Sequence, residues 1–421
     1  MGNQGKLTWN GTFTMAVGGM IGGGIFSVLG VVVALAGEWA WLSFLIAGAV
    51  ALLTSLSYVA LTTRWHQGGG AYGYLRRLGH GRTAATVAWV LVIGYVLTLS
   101  VYAFTFGHYL ANVLDVSHTL WPRIFAVAII AALVGLNLRG VGDAQRVEEV
   151  TVWAKLAVLV ALGGIGLARF DAHHLTSGTG GSTSVVAVVL GAASVFMAYE
   201  GFQLLAYDYD DIADADRTLP RAVPPAVAAV IATYIVVALG AASLVGAATL
   251  VAQKEVALAA AGLAALGQAG LVAVTVAAVF STGSAINATL FATARLARLV
   301  ARNREYPAWV GRTNSRGSPF AAVLALGGLA AVPAALGGLT TLVEAASLVF
   351  LATFGAVCAI AWQQRVGWRT GAGIGALAAA LAALALAGRL ALEAPWVLAG
   401  LAAVAAAAIA ARRTVQRRRR T

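Results

Sequence analysis

Apolar residues recur along this chain in long runs from end to end, separated by short polar segments. The runs are continuous rather than alternating, which excludes a closed β-barrel and predicts an all-α polytopic membrane protein. At roughly 20 apolar residues per crossing, the pattern predicts about twelve transmembrane helices. They fall near 13–36, 40–63, 83–112, 122–138, 147–168 and 184–207, and then near 222–247, 268–293, 319–338, 342–362, 371–388 and 395–411. The first run is longer than a signal-peptide core and has no small-residue cleavage site, so it reads as a span.

Two runs are interrupted in their middles. The first contains GGMIGGGIF, Gly18 to Phe26, with five glycines in nine residues. Each glycine costs a helix interior about 1 kcal/mol against alanine. The sixth run contains FMAYEGFQ, Phe196 to Gln203, with a glutamate and a glycine in mid-span. The two interruptions are five helices apart, and an odd number of helices per repeat makes the second unit enter from the opposite side, so the repeats are inverted. Paired interruptions of this kind point to a transporter's binding site. A helix broken at the midplane frees N–H and C=O groups, tolerable only where they line a polar cavity. The half-helix after the break offers N–H groups and a positive dipole end to a carboxylate. The released carbonyls suit an ammonium group, so the pair suits a zwitterion. Close helix packing is the other use of such glycines. For Gly18 and Gly19 the two readings stand level. For Gly22, Gly23 and Gly24 the break is favoured.

Composition and charge sharpen this. The chain has 421 residues, 60% hydrophobic and only 10% charged, with a net charge of +12. The basic residues alternate from loop to loop. One set of segments holds Lys6, Arg64, Arg76, Arg77, Arg82, Arg139, Arg146, Arg217, Arg221, Arg295 to Arg316, Arg365, Arg369 and the tail arginines; the other holds only Arg123, Arg169, Lys254 and Arg389. The asymmetry predicts a multi-pass protein of the cell membrane with both termini cytoplasmic. The tail RRTVQRRRR is expected to lie near anionic lipid, not nucleic acid. The single Cys358 permits no disulfide and no cysteine metal site. The histidines show no ligand spacing, and the glycine-rich stretches lack a P-loop context, so no metal and no cofactor is expected. Nothing among the spans resembles a catalytic cluster, so no enzyme is expected.

Two ionisable residues lie inside spans. Lys155, in TVWAKLAVLV, sits six residues beyond Glu149, about 9 Å along the helix. It admits two readings, a functional buried lysine or one that snorkels back to the interface. Glu200 could carry a proton, bind a cationic side chain, or make an interior hydrogen bond; the last is favoured. The acidic run YDYDDIADAD, Tyr207 to Asp216, reads as a solvated helix terminus that could meet Arg77 or Arg82 in an inner gate.

Five stretches, taken together and in order, resemble the amino acid–polyamine–organocation (APC) superfamily, and within it an amino acid permease. They are GMIGGGIF in the first span, QGGGAYGYLRR (Gln67–Arg77), NLRGVGDAQRVEEVTVWAKL (Asn137–Leu156), FMAYEGFQLLAYDYDDIADADRTLPRAV (Phe196–Val223) and FSTGSAINATLFATARLARLVARN (Phe280–Asn303). The family usually has a proline before the glycine pair after the second span; this chain reads RWHQGGGAY there. The resemblance implies a LeuT-like fold of two inverted five-helix repeats with discontinuous helices 1 and 6. Residues 1–168 would form the first repeat, 169–366 the second, and 367–421 two accessory helices and a basic tail. It implies backbone N–H groups of Gly22, Gly23 and Gly24 at the substrate carboxylate, and carbonyls of Gly18, Gly19, Met197, Ala198 and Glu200 at the amine. The substrate side chain would lie among residues such as Tyr95, Tyr102, Tyr199, Phe202 and Phe280, each with a packing reading beside it. Lys155 would replace the coupling cation of sodium-dependent relatives, with Ser281, Thr282 and Ser284 as candidate partners. The expected function is secondary active transport of amino acids by alternating access with proton symport. An amino acid or polyamine exchanger without net proton flux is the alternative.

Overall fold

The computed structural model describes residues 6–118, 120–139, 145–170, 184–315, 317–403 and 405–406, with only the backbone of 145–148. Among these residues the chain is helical, and its one β-bridge joins Leu7 to Ile212. The helices in chain order are α1 (Trp9–Met20), α2 (Gly24–Ala36), α3 (Ala40–Trp65), α4 (Gly70–Arg77), α5 (Gly81–Val113), α6 (Trp121–Arg139) and α7 (Gln145–Ala168). There follow α8 (Val185–Ser194), α9 (Ala215–Ala252), α10 (Ala257–Arg302), α11 (Phe320–Leu336), α12 (Leu339–Gln363) and α13 (Arg369–Glu393). Among the described residues, eight stretches are long and apolar enough to cross a bilayer, and α8 and α11 are shorter apolar helices. The longest stretch, Trp9–Trp65, has 57 residues. Straight, it would extend about 85 Å, far beyond a hydrocarbon core. It turns back at Gly37, where φ is 54°, and α2 packs against α3. Leu329, Leu336, Leu377, Leu381 and Leu384 lie exposed on the outer helix faces, an apolar surface suited to lipid. This is an all-α polytopic membrane protein.

Local chemistry sets several helix ends. The Thr8 side chain accepts from the Gly11 N–H and starts α1, and the Ser184 side chain accepts from the Ala187 N–H and starts α8. Gly69 and Gly70 have φ of 111° and 52° ahead of α4, a conformation glycine adopts without strain. Helix α9 begins at Ala215, earlier than the predicted 222, and carries Pro220, Pro224 and Pro225 inside it. Helix α10 extends back to Ala257 through a kink at Leu266 and Gly267, adding a short arm that the apolar pattern did not separate. Helix α4 is a further short helix, between the second and third predicted spans. The predicted twelfth span is helical over 395–403 and 405–406, and the rest of it, with the tail arginines, His173 and His174, lies outside the described residues.

Two features position the centre. Helices α7 and α9 meet along a glycine seam. A Cβ on Gly163 would lie 2.9 Å from the Val236 carbonyl oxygen, and one on Gly240 would lie 2.7 Å from the Gly163 Cα; Gly166 meets Gly240 just as closely. Contacts also tie the elements together at each end of the molecule. At the face carrying the N-terminus, Arg295 of α10 pairs with Asp208 at 3.1 Å and Asp211 at 3.3 Å. His66 pairs with Asp216, and Arg76 lies 3.8 Å from Glu305. At the opposite face, Gly30 of α2 packs on the backbone of Lys254, where a Cβ would come within 2.6 Å of its Cα.

Candidate functional site

The centre of the molecule is built from two broken helices that touch. Helix α1 ends at Met20 and α2 starts at Gly24, with turn residues between. Beyond α8 the backbone tightens into two 3-10 segments, Phe196–Tyr199 and Phe202–Ala206, on either side of Glu200 and Gly201. Gly201 has φ of 135°, and a Cβ on Gly19 would lie 2.9 Å from its Cα. The breaks therefore meet backbone to backbone, which only glycine at both positions permits. No side chain caps α2, and by helix geometry its first N–H groups lack intrahelical acceptors.

The other glycines of the first break are also tightly surrounded. A Cβ on Gly22 would meet the Ala285 methyl, and one on Gly23 would meet the Tyr102 ring. On Gly24 it would come within 2.5 Å of the Tyr234 hydroxyl and 2.8 Å of the Ala198 oxygen. Gly22 to Gly24 thus combine the break with close approach, and Gly19 is a packing contact between breaks.

Most of the released carbonyls already have protein donors. Lys155 is 2% exposed and its Nζ donates to the Gly18 carbonyl at 3.1 Å. Its ammonium points inward to the break instead of snorkelling. Ser281 Oγ donates to the Ile21 carbonyl at 2.6 Å. The Gly19 carbonyl accepts from Gly22 N–H at 3.3 Å, and the Met197 carbonyl from Glu200 N–H at 3.0 Å. The Tyr234 hydroxyl of α9 lies 2.8 Å from the Met20 carbonyl and 2.9 Å from that of Ala198, so one proton is shared across both breaks. Of the five carbonyls expected to hold an amine, those of Gly18, Gly19, Met197 and Ala198 are engaged in this way. Tyr234 was not singled out in the sequence, where it is one aromatic in an apolar run.

The remaining expected residues divide. Thr282 Oγ1 returns to the Ala278 carbonyl of its own helix at 2.7 Å, and Ser284 is half-buried. Tyr199 donates its hydroxyl to the Phe44 carbonyl at 2.8 Å and packs on Tyr234. Phe202 packs edge-on against Tyr58. Tyr95 and Tyr102 are fully buried on the face of α5 that meets the breaks. Phe280 is 62% exposed and leaves the site: on α10 the inward positions are Ser281, Thr282 and Ala285, and one residue is about 100° of helix rotation. The carboxyl of Glu200 is 1% exposed, accepts from Gln203 Nε2 at 2.6 Å, and neighbours the Tyr102 hydroxyl. Gln203 is itself fixed, accepting from Gly201 N–H at 2.8 Å and reaching Tyr95 Oη at 3.3 Å.

At the N-terminal face the ion-pair partner of the acidic run is Arg295. Arg77, expected there, has its guanidinium over the Trp65 ring. Burial pushes the Asp208 carboxyl up to about 6, although Arg295 beside it opposes the shift.

Known proteins agree with this architecture. A family model described as amino acid permease matches residues 7–411. An inner membrane transport protein of Escherichia coli, YbaT, is 28% identical over 369 residues, covering 86% of this chain and 84% of the relative. An uncharacterized transporter of Mycobacterium tuberculosis is 30% identical over 76% of this chain and 71% of its own length. Human Asc-type amino acid transporter 1 is 26% identical over 81% of this chain and 68% of its own length. With a family match over nearly the whole length and a buried, twice-broken helical centre, the chain belongs to the amino acid permease family of the APC superfamily.

Proposed function

We propose that the protein is a secondary active transporter that carries amino acids across the cell membrane by alternating access, in symport with protons. The observation that carries this reading is the Lys155 ammonium on the carbonyl of a broken helix, Nζ to Gly18 O at 3.1 Å. A cation fixed at this point does the work of a bound metal cation, and it can be switched by a proton. Protonated, Lys155 braces α1 against α7 while Ser281 holds the other side of the same break from α10. Deprotonated, it loses the charge-assisted bond, worth about 1.5–3 kcal/mol, and the break is freed to move. Amide groups of Gly23 and Gly24 at the start of α2, joined by that of Gly22 once its bond to the Gly19 carbonyl opens, would receive the substrate carboxylate.

In this reading the chain crosses the membrane twelve times. Helices 1–5, within residues 1–168, and helices 6–10, within 169–366, form inverted LeuT-like repeats, and 367–421 supply two accessory helices and the tail. Both termini are cytoplasmic, supported by the cluster of arginines at the N-terminal face. The Arg295 pairs would then close the inner gate, and α2 on Lys254 the outer one. Uptake of radiolabelled amino acids into proteoliposomes, with and without an inward pH gradient, tests the proposal. Gradient-driven accumulation is expected. Uptake that requires amino acid inside the vesicle and ignores the gradient would make the protein an exchanger, and no uptake of any amino acid would refute the reading.

A further inference from the structure

The carbonyls that would hold an amine are engaged by Lys155, Tyr234 and neighbouring N–H groups. A different acceptor stands beside them. Glu200 is buried between the two 3-10 segments and makes no ion pair among the described residues. An isolated buried carboxylate costs several kcal/mol unless it takes up a proton or a cation joins it, and an arriving ammonium can replace that proton. Gln203 holds the group in one orientation through three hydrogen bonds of its own.

The face of α5 that carries Tyr102 holds two buried hydroxyls. Thr98 Oγ1 is fully buried and has no hydrogen-bond partner, and Tyr102 Oη is fully buried with the Glu200 carboxyl as its one polar neighbour, outside ideal hydrogen-bond geometry. They lie one turn apart on one face of α5. Other hydroxyls on that helix behave differently: Ser100 and Thr105 each donate to the carbonyl four residues back. Buried polar groups are nearly always paired, so an orphan hydroxyl one turn from a tyrosine that has only a poorly aligned carboxyl for company points to a polar ligand. The Tyr102 ring also lies directly over Gly23, while its hydroxyl neighbours Glu200. One side chain therefore covers both the amide end and the carboxylate end of the site.

We propose that the Glu200 carboxylate, and not the backbone carbonyls of the breaks, receives the substrate's ammonium group, in the space that the Tyr102 ring fills. The inference rests on the transport reading above for the location of the site, and it narrows the substrate class. The essential group is a primary ammonium. A carboxylate adds contacts at the start of α2, so amines that lack one also bind. Swinging Tyr102 aside uncovers Gly23 and Glu200 together and turns its hydroxyl, with that of Thr98, toward the ligand.

The test uses the purified full-length chain and three sets of probes: the twenty proteinogenic L-amino acids, the amines left by removing their carboxylates, and their N-acetyl derivatives. Binding is read by calorimetry on the wild type and on Glu200→Gln, with melting curves confirming the fold of each. Any amino acid that binds the wild type is expected to lose at least about tenfold in affinity in Glu200→Gln, the scale of a lost charge-assisted contact. Its decarboxylated amine should compete in the wild type with the same dependence, and its N-acetyl form should not bind. Equal affinity in wild type and Glu200→Gln, or binding of the N-acetyl form, overturns the inference and leaves the transport reading standing. Glu200-dependent binding of amines with no binding of any amino acid does the reverse. If nothing binds, both fall. Should Glu200→Gln not fold, Glu200→Asp keeps the charge but withdraws it by one methylene; unchanged affinity in that variant also overturns the inference.

Discussion

Replacing Tyr234 with phenylalanine removes one oxygen and nothing else. The ring remains packed on Phe44 and Tyr199, at centroid distances of 5.5 and 5.1 Å. What disappears is the hydroxyl shared by the Met20 and Ala198 carbonyls, 2.8 and 2.9 Å away, in a place where Tyr234 is fully buried. A buried acceptor left without a donor costs about 1–3 kcal/mol. One proton serves both carbonyls, so one such cost is counted. With about 2.1 cal/mol/K of unfolding entropy per residue, the 421 residues give about 0.9 kcal/mol/K. The expected fall in melting midpoint is therefore small, about 1–3 °C. It can be read with a thiol-reactive dye on the sole cysteine, Cys358, which is buried and reports unfolding as it becomes exposed. Uptake should fall more than stability, because the two breaks lose their direct link. Tyr199→Phe is the control: it removes a hydroxyl bonded to the Phe44 carbonyl, with a similar loss of midpoint and little loss of uptake. If Tyr234→Phe matches the wild type in both midpoint and uptake, the tyrosine does not join the breaks and the reasoning fails.

Other expectations follow from neighbouring groups. Lys155→Ala and Lys155→Arg should both abolish pH-driven uptake in proteoliposomes, because arginine keeps its charge and cannot release the proton; near wild-type uptake by the arginine variant would sink the coupling role. Gly23→Val should remove substrate binding, measured by calorimetry, since its branched side chain would be driven into the Tyr102 ring. Asp208 is raised to about 6 in the folded protein from an ordinary value of 3.8. The folded state therefore holds this proton more tightly, and stability from this group is lost as pH rises through that window. Melting midpoints between pH 4 and 7 should fall less steeply for Asp208→Asn than for the wild type, and identical slopes would contradict this. Phe280→Ala, at an exposed position on α10, should leave the KM for uptake unchanged.

The two breaks were legible because their residues are out of place: glycines and a glutamate inside apolar runs announce themselves. Lys155 was legible as an anomaly, but its direction was not. Whether a lysine about 9 Å into a helix turns outward or inward depends on what faces it, and here that is the Gly18 carbonyl, 137 residues away. Tyr234 carries no anomaly at all. A tyrosine in an apolar helix is ordinary, and its link to Met20 spans 214 residues of sequence. Phe280 shows the opposite error, since one residue along a helix separates the lipid-facing surface from the inward Ser281. The gate pairing failed for a similar reason: the acidic run was plain, but which of the many arginines reaches it is decided by how α10 packs.

The glycine seam between α7 and α9 has a mechanical consequence. Lys155 lies eight residues from Gly163, about 12 Å along α7, and Tyr234 lies six residues from Gly240, about 9 Å along α9. A joint made of side chains has slack, because rotamers can absorb a small displacement. A joint of bare backbone has none. The two helices therefore act as the arms of a stiff bracket, with the lysine at one tip and the tyrosine at the other, both resting on the first break. Loosening the lysine tip would tilt the bracket, and the tyrosine tip would move with it. In the proposed mechanism, losing a single proton at Nζ would unclamp the break from two sides at once, so that a local chemical event would register as a whole-helix displacement.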